Sequence, residues 1–199
     1  MASDAEVLQA FGRLPSVTQI LKAVGLGADY DRVPAHTLEH ARERGQALHA
    51  AIQYHHEGTL DADSLHPEVA PGFSAYLKFL VDSAFAFEAG EFEVVHPVWL
   101  YMGHPDLLGT LNGQRVLIDL KYMATVHLHA AAYQLTLYRL AWEAQHPEQP
   151  ISGCYVLQLK LDGTPRLHPV SSGPTEEQRC YAAITVFRAQ QEVRNGGKR

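Results

Sequence analysis

The chain has 199 residues, 46% of them hydrophobic and 19% charged, a length that suits one domain of roughly 100–200 residues and a composition able to bury a core. Lys and Arg number 16 against 22 Asp and Glu, giving a net charge of −6; this argues against a wholesale nucleic-acid coat but leaves room for one groove where cations offset phosphate. Two cysteines, Cys154 and Cys180, cannot build a disulfide framework or a four-thiolate cluster site. No run approaches the roughly 20 apolar residues that span a membrane, and MASDAEVLQAFGRLPS carries no basic-then-apolar secretion signal. The expectation is a soluble protein of a reducing, cytoplasmic compartment.

Residues 13–24 read as a loop leading into a helix, with Ser16 or Thr18 as N-cap. Residues 37–57 are a longer helix, with Thr37 as cap and Gly58 as stop. After a turn-rich stretch, 61–72, residues 73–89 place Phe73, Leu77, Leu80 and Ala84 on one helical stripe. The character then changes. Residues 91–101 (EFEVVHPVWLY) suit a strand interrupted or edged at Pro97. GHPDLLGTL and QRVLIDLKY follow, joined by Asn112-Gly113, a pair that signals a hairpin because both residues tolerate positive φ. Residues 128–145 are helical up to His146-Pro147, a second hairpin turns at Asp162-Gly163, and a helix from about Thr175 to Val193 precedes a polar tail. The order predicts a single α/β domain over 1–199: a mainly helical part to 89, a mixed central sheet of about five strands with a helix over 90–170, and a helix and tail over 171–199.

The first hairpin carries the chemistry. Residues two apart in a strand share a face, so Asp119 and Lys121 point together while Ile118 and Leu120 point into the core. Asp106, just before the partner strand, can meet Asp119 across the pair, far from the turn. Two carboxylates beside an ammonium suit a hard divalent cation and developing phosphate charge, although the same triplet also fits an ordinary ion pair at a strand edge.

The wider pattern adds His49 in the helical run RGQALHAA, Glu93, Gly103-x-Pro105-Asp106, Ile118-Asp119-Leu120-Lys121, and Gln134-x-x-x-Tyr138 on the next helix. In this order, from about residue 15 to 142, the set resembles the RecB-type exonuclease branch of the PD-(D/E)XK nuclease superfamily. The resemblance implies a restriction-endonuclease-like core and a metal-dependent DNA nuclease, expected to be an exonuclease, in phage or bacterial recombination, repair or end processing. It implies His49, Asp106, Asp119 and the Leu120 carbonyl as ligands of Mg²⁺ or Mn²⁺, the imidazole tilting the balance towards Mn²⁺. Lys121 would offset phosphate charge and orient or activate water, and Gln134 and Tyr138 would support the centre and touch the DNA backbone. Glu93 matches a supporting acid only loosely, with Glu91 equally close. Tyr122 stands where many members have Thr or Ser.

The alternative is a catalytically weak or silent member of the fold that binds DNA or a recombination protein. Partners implied are DNA ends, with a homo-oligomer or recombination protein as further expectations and no membrane. Arg42, Arg44, Lys78, Arg115 and Lys160 are expected to gather partly near one groove. His55, His56, His127 and His129 lack acidic or thiol partners at ligand spacing and read as helix-end or loop residues.

Overall fold

In the computed structural model, residues 14–196 are described; most of the segment read for a secretion signal, and the last three residues of the tail, lie outside them. Helix α1 (Val17–Ala23) starts on a capping box: Ser16 Oγ accepts from the Gln19 N–H at 3.1 Å, and Gln19 Oε1 accepts from the Ser16 N–H at 3.0 Å. Helix α2 (Ala35–Glu57) begins after Pro34 and not at Thr37, whose hydroxyl meets the neighbouring His36 ring. Its stop is the expected one, Gly58 at φ 72°.

Helix α3 (Ala70–Ser83) ends well short of residue 89 because Ala84 takes a left-handed turn, φ 52°. Its buried stripe is Phe73, Tyr76 and Phe79, whereas Leu77 is 37% exposed. The helix therefore packs about one residue out of phase with the expected stripe. Released from the helix, Ala86–Gly90 forms strand β1. The 91–101 run divides at Pro97, as its sequence suggested, into β2 (Val94–His96) and the start of β3 (Tyr101–Gly103), which pair as a small separate ladder. Strands β4 (Leu107–Leu111) and β5 (Gln114–Tyr122) flank Asn112-Gly113, both at positive φ, 51° and 77°, the signature of a type I′ turn. Then come α4 (Leu128–Gln145), β6 (Gly153–Leu159), β7 (Pro165–Val170) and α5 (Pro174–Gly196).

The main sheet has five strands in the order β1-β4-β5-β6-β7. All neighbours are antiparallel except β5 and β6, whose parallel pairing is connected by α4, as a βαβ crossover requires. The expected strand count holds, but β1 comes from a segment read as helix. Alternate residues of β5 enter two cores. Leu117 joins Cys154 and Val156 in a core containing residues of α1, α4 and α5. Val116, Ile118, Leu120 and Tyr122 join residues of α2 and α3 in the other. With both faces covered, Asp119 and Lys121 lie on the α4 side of the sheet, within the molecule, and not on a solvated face. No helix among the described residues is long and apolar enough to cross a membrane.

Candidate active site

The register of the β4–β5 hairpin does most of the assembly. Leu107 pairs with Ile118, so Asp106, one residue before β4, stands at the level of Asp119 and Leu120. Its Oδ2 accepts the Leu120 N–H at 2.6 Å, and its Oδ1 lies 3.7 Å from His49 Nδ1 on α2. Glu91 follows β1 at φ 49°, its N–H donating to the Asp106 carbonyl at 3.1 Å. That tie brings Glu91 Oε1 to 2.7 Å from His49 Nδ1. One ligand atom from each of His49, Glu91 and Asp106 lies within 4.8 Å of the others. On the α4 side, Asp119 is 1% exposed, and the Lys121 ammonium stands 2.9 Å from its Oδ1 and 2.8 Å from its Oδ2. The buried Oδ2 has no partner in hydrogen-bond geometry.

Gln134 and Tyr138, one turn apart on α4, lean over the same end of the sheet, the Gln134 amide donating to Tyr138 Oη at 2.9 Å. Gly103 makes this possible: a Cβ there would come within 2.2 Å of the Tyr138 ring. A cavity of about 460 Å³ opens beside Lys121 and Gln134, lined also by Lys22, Tyr30, Val126 and His127.

The electrostatics of the two sides differ. Burial pushes the Asp106 carboxyl up to about 6, helped by nearby Asp119 and opposed by His49, Lys121 and the Leu120 N–H. Burial disfavours the charged His49 ring, but Asp106 and Glu91 together outweigh it and hold His49 above its ordinary value. The Lys121 ammonium is likewise raised, the pull of Asp119 and Asp106 exceeding its desolvation. Burial raises the Tyr138 phenol, so it stays protonated.

Of the residues singled out in the sequence, the structure brings His49, Asp106, Asp119, Leu120, Lys121, Gln134 and Tyr138 to one end of the sheet. Leu120 meets Asp106 through its N–H. Of the two acids left open, Glu91 joins His49, whereas Glu93 is exposed and faces His104 at 3.7 Å. His56 is a packing residue, stacked on Phe87 at 3.6 Å and bonded to Tyr76 Oη at 2.6 Å. His127 sits edge-on to Tyr30, and His129 borders a separate cleft.

Arg42, Lys78 and Arg115 are engaged by Glu39, Asp82 and Glu88, local acids that neutralise them, and only Arg44 lies against the terminal residue of β5.

No family profile and no curated protein matches the sequence. Among solved structures, the fold is similar to a candidate exonuclease of Eubacterium rectale, with a TM-score of 0.53 at 11% identity over 94% of this chain and 77% of that one. It is also similar to an alkaline exonuclease of Laribacter hongkongensis, with a TM-score of 0.51 at 12% identity over 94% of this chain and 93% of that one. The five-stranded mixed sheet and its flanking helices thus form an α/β fold shared with these two exonuclease structures.

Proposed function

We propose that the chain is a metal-dependent DNA nuclease acting as an exonuclease in bacterial or phage DNA recombination, repair or end processing. The observation that carries this reading is the convergence of His49, Glu91 and Asp106 within 4.8 Å, next to the buried Asp119–Lys121 pair.

The donor set fits a divalent cation. Two carboxylates and an imidazole share one small volume, and Asp119 adds a buried carboxylate held against the Lys121 ammonium at 2.8 Å. His49, Asp106, Asp119 and the Leu120 carbonyl would hold the ion, with Glu91 as a further ligand or as the group that orients His49. Oxygen donors suit Mg²⁺, and the imidazole favours Mn²⁺. When bound, the ion supplies Lewis acidity and charge for phosphoryl transfer.

The chain's own residues do the rest. Lys121 keeps its proton, so it acts as a fixed positive charge that stabilises negative charge growing on the phosphate, already oriented by Asp119. The neutral Tyr138 hydroxyl accepts from Gln134 and keeps its own proton to donate to a phosphate oxygen. Asp106, bridged to the Leu120 N–H, fixes the distance between β4 and β5 on which the arrangement depends. The cavity beside Lys121 and Gln134 gives a DNA end space to approach.

The test is degradation of end-labelled and circular DNA with Mg²⁺, Mn²⁺ or EDTA, in the wild type, Asp119→Ala and Lys121→Ala. Metal-dependent loss of linear DNA, abolished by both substitutions, is expected. Cleavage indifferent to both would remove the proposal, and DNA binding without cleavage under any metal would leave the silent-fold alternative.

A further inference from the structure

Tyr122 is the last residue of β5, directly after Lys121, and its ring is held at two points. Its hydroxyl donates to the Glu68 carbonyl at 2.6 Å, and the ring lies so close over Gly72 that a Cβ there would come within 2.8 Å of it. On this platform rests Arg44 of α2, its guanidinium carbon 5.0 Å from the ring centroid, a cation–π arrangement. Arg44 has no ion-pair partner among the described residues. Its Nε is buried and makes no hydrogen bond. Arg42, two residues earlier on the same helix, is by contrast exposed and engaged by Glu39 at 2.6 Å.

With Nε covered by protein, the donors that Arg44 can offer a ligand are the N–H groups at the tip of the guanidinium. A guanidinium presents parallel N–H donors that match a phosphate bidentately. Its place in the fold says which phosphate. Arg44 precedes His49 by five residues, about 7.5 Å along the helix axis, and its platform is the last residue of β5, one beyond Lys121, so it lies on the α2 face of the sheet, opposite the Lys121 side chain, at the same end of β5 as the acidic centre. We propose that Arg44 binds the backbone phosphate next to the one cleaved. This rests on the nuclease reading and deepens it: the substrate is a strand with at least two phosphates, gripped at the second by a guanidinium stacked on Tyr122.

The experiment measures binding of a labelled single-stranded oligonucleotide in EDTA across a salt series, and steady-state cleavage of the same strand in Mn²⁺, for the wild type, Arg44→Gln, Arg44→Lys and Arg42→Gln. Arg44→Gln is expected to weaken binding roughly ten-fold, the worth of one charge-assisted phosphate contact. It should also flatten the slope of log K against log salt by about 0.7. KM should rise by a similar factor while kcat changes much less. Arg44→Lys should recover the salt slope but only part of the affinity, since an ammonium lacks the planar fork. Arg42→Gln should bind as the wild type does.

Affinity and salt slope unchanged in Arg44→Gln, or an equal loss in Arg42→Gln, would overturn the proposal while leaving the nuclease reading in place. A wild type that binds DNA through Arg44 but cleaves nothing with either metal would keep this site and defeat the nuclease reading. Binding by no variant, wild type included, would defeat both.

Discussion

Two acidic regions a few ångströms apart solve the same electrostatic problem in different ways. Under α4, Asp119 is fully buried beside a resident cation, Lys121, that never leaves. Under α2, Glu91 and Asp106 share a single imidazole, which carries at most one positive charge for two carboxylates. The first region is balanced by the sequence itself. The second is left short of positive charge, and Asp106 meets the deficit by holding on to a proton up to about pH 6. The difference separates what the protein needs in order to fold from what it leaves open for a ligand.

The comparison is most easily broken at Lys121. Replacing it by Met keeps the length of the side chain but strands Asp119, which is 1% exposed, without its counter-charge. Removing one partner of a buried pair costs about 3–5 kcal/mol, so urea unfolding of Lys121→Met at pH 7.5 should show a loss of that order. Asp119→Asn combined with Lys121→Met should recover most of it, because no buried charge is then left alone. If Lys121→Met unfolds at the wild-type urea concentration, Asp119 does not depend on its resident cation and the contrast is lost.

At Asp106 the sign reverses. An acid whose folded-state value is raised favours the folded protein when protonated and opposes it when ionised. The opposition is fully present above about pH 6 and gone below the unfolded value of 3.8. Asp106→Asn removes the charge and keeps an acceptor for the Leu120 N–H. The metal-free variant should therefore be more stable than the metal-free wild type at pH 7.5, by roughly 3 kcal/mol, with the gap closing towards pH 4. It should also lose any thermal shift produced by Mn²⁺. A variant that is less stable at pH 7.5 would mean that Asp106 is a structural anchor and that the second region is no less self-sufficient than the first.

Gly103→Ala tests the packing that holds Tyr138 in place beside Gln134. Its Cβ would stand 2.2 Å from the Tyr138 ring, so Tyr138 must move or the small β2–β3 ladder must shift; overpacking of this kind costs about 1–3 kcal/mol. The displaced Tyr138 should also show as a change in the near-ultraviolet circular dichroism. An unaltered spectrum and an unaltered Tm would show that the phenol is not held where it is by this contact.

What the sequence disclosed, and what it hid, follows the same division between local and tertiary causes. Asp106, Asp119 and Lys121 were legible because one hairpin fixes them: a type I′ turn at Asn112-Gly113 sets the register, and the register sets which side chains meet. Ser16 and Gly58 were legible as helix ends for a similarly local reason. The end of α3 was not. Ala84 adopts φ 52°, and alanine, the strongest helix former, gives no warning of a left-handed turn. Its neighbours Phe85 and Phe87 leave the helix because partners on β4 and α2 receive them, a gain that no window of sequence contains. Glu91 was hidden in the same way. Its bond to His49 spans 42 residues and depends on a backbone turn after Gly90, so in the sequence it could not be told apart from Glu93. The burial of Asp119 was missed because the second core covering its face is assembled from α1, α4 and α5, remote from the hairpin.

The finest test is the pH profile of the acid-rich region. Without metal, both of its shifted groups act in one direction. The Asp106 carboxyl is raised, so the folded chain binds more protons than the unfolded one between pH 3.8 and about 6. His49 is also raised, so its contribution to stability is complete below its unfolded value of 6.5 and fades as pH climbs through the higher folded one. More protons on the folded state mean that the contribution of these two groups to stability falls with rising pH, against the opposite trend of His56, His96 and His168, whose burial lowers them. A bound divalent cation needs those positions free of protons, so the stabilisation produced by Mn²⁺ should be small at pH 5.5 and grow through pH 8. Thermal melts with Mn²⁺ and with EDTA across this range should therefore diverge as pH rises, and in Lys121→Arg, which retains the resident charge, the divergence should persist. Curves that stay parallel would mean that no cation competes with protons at His49, Glu91 and Asp106, and the deficit that distinguishes this region would then have some other purpose.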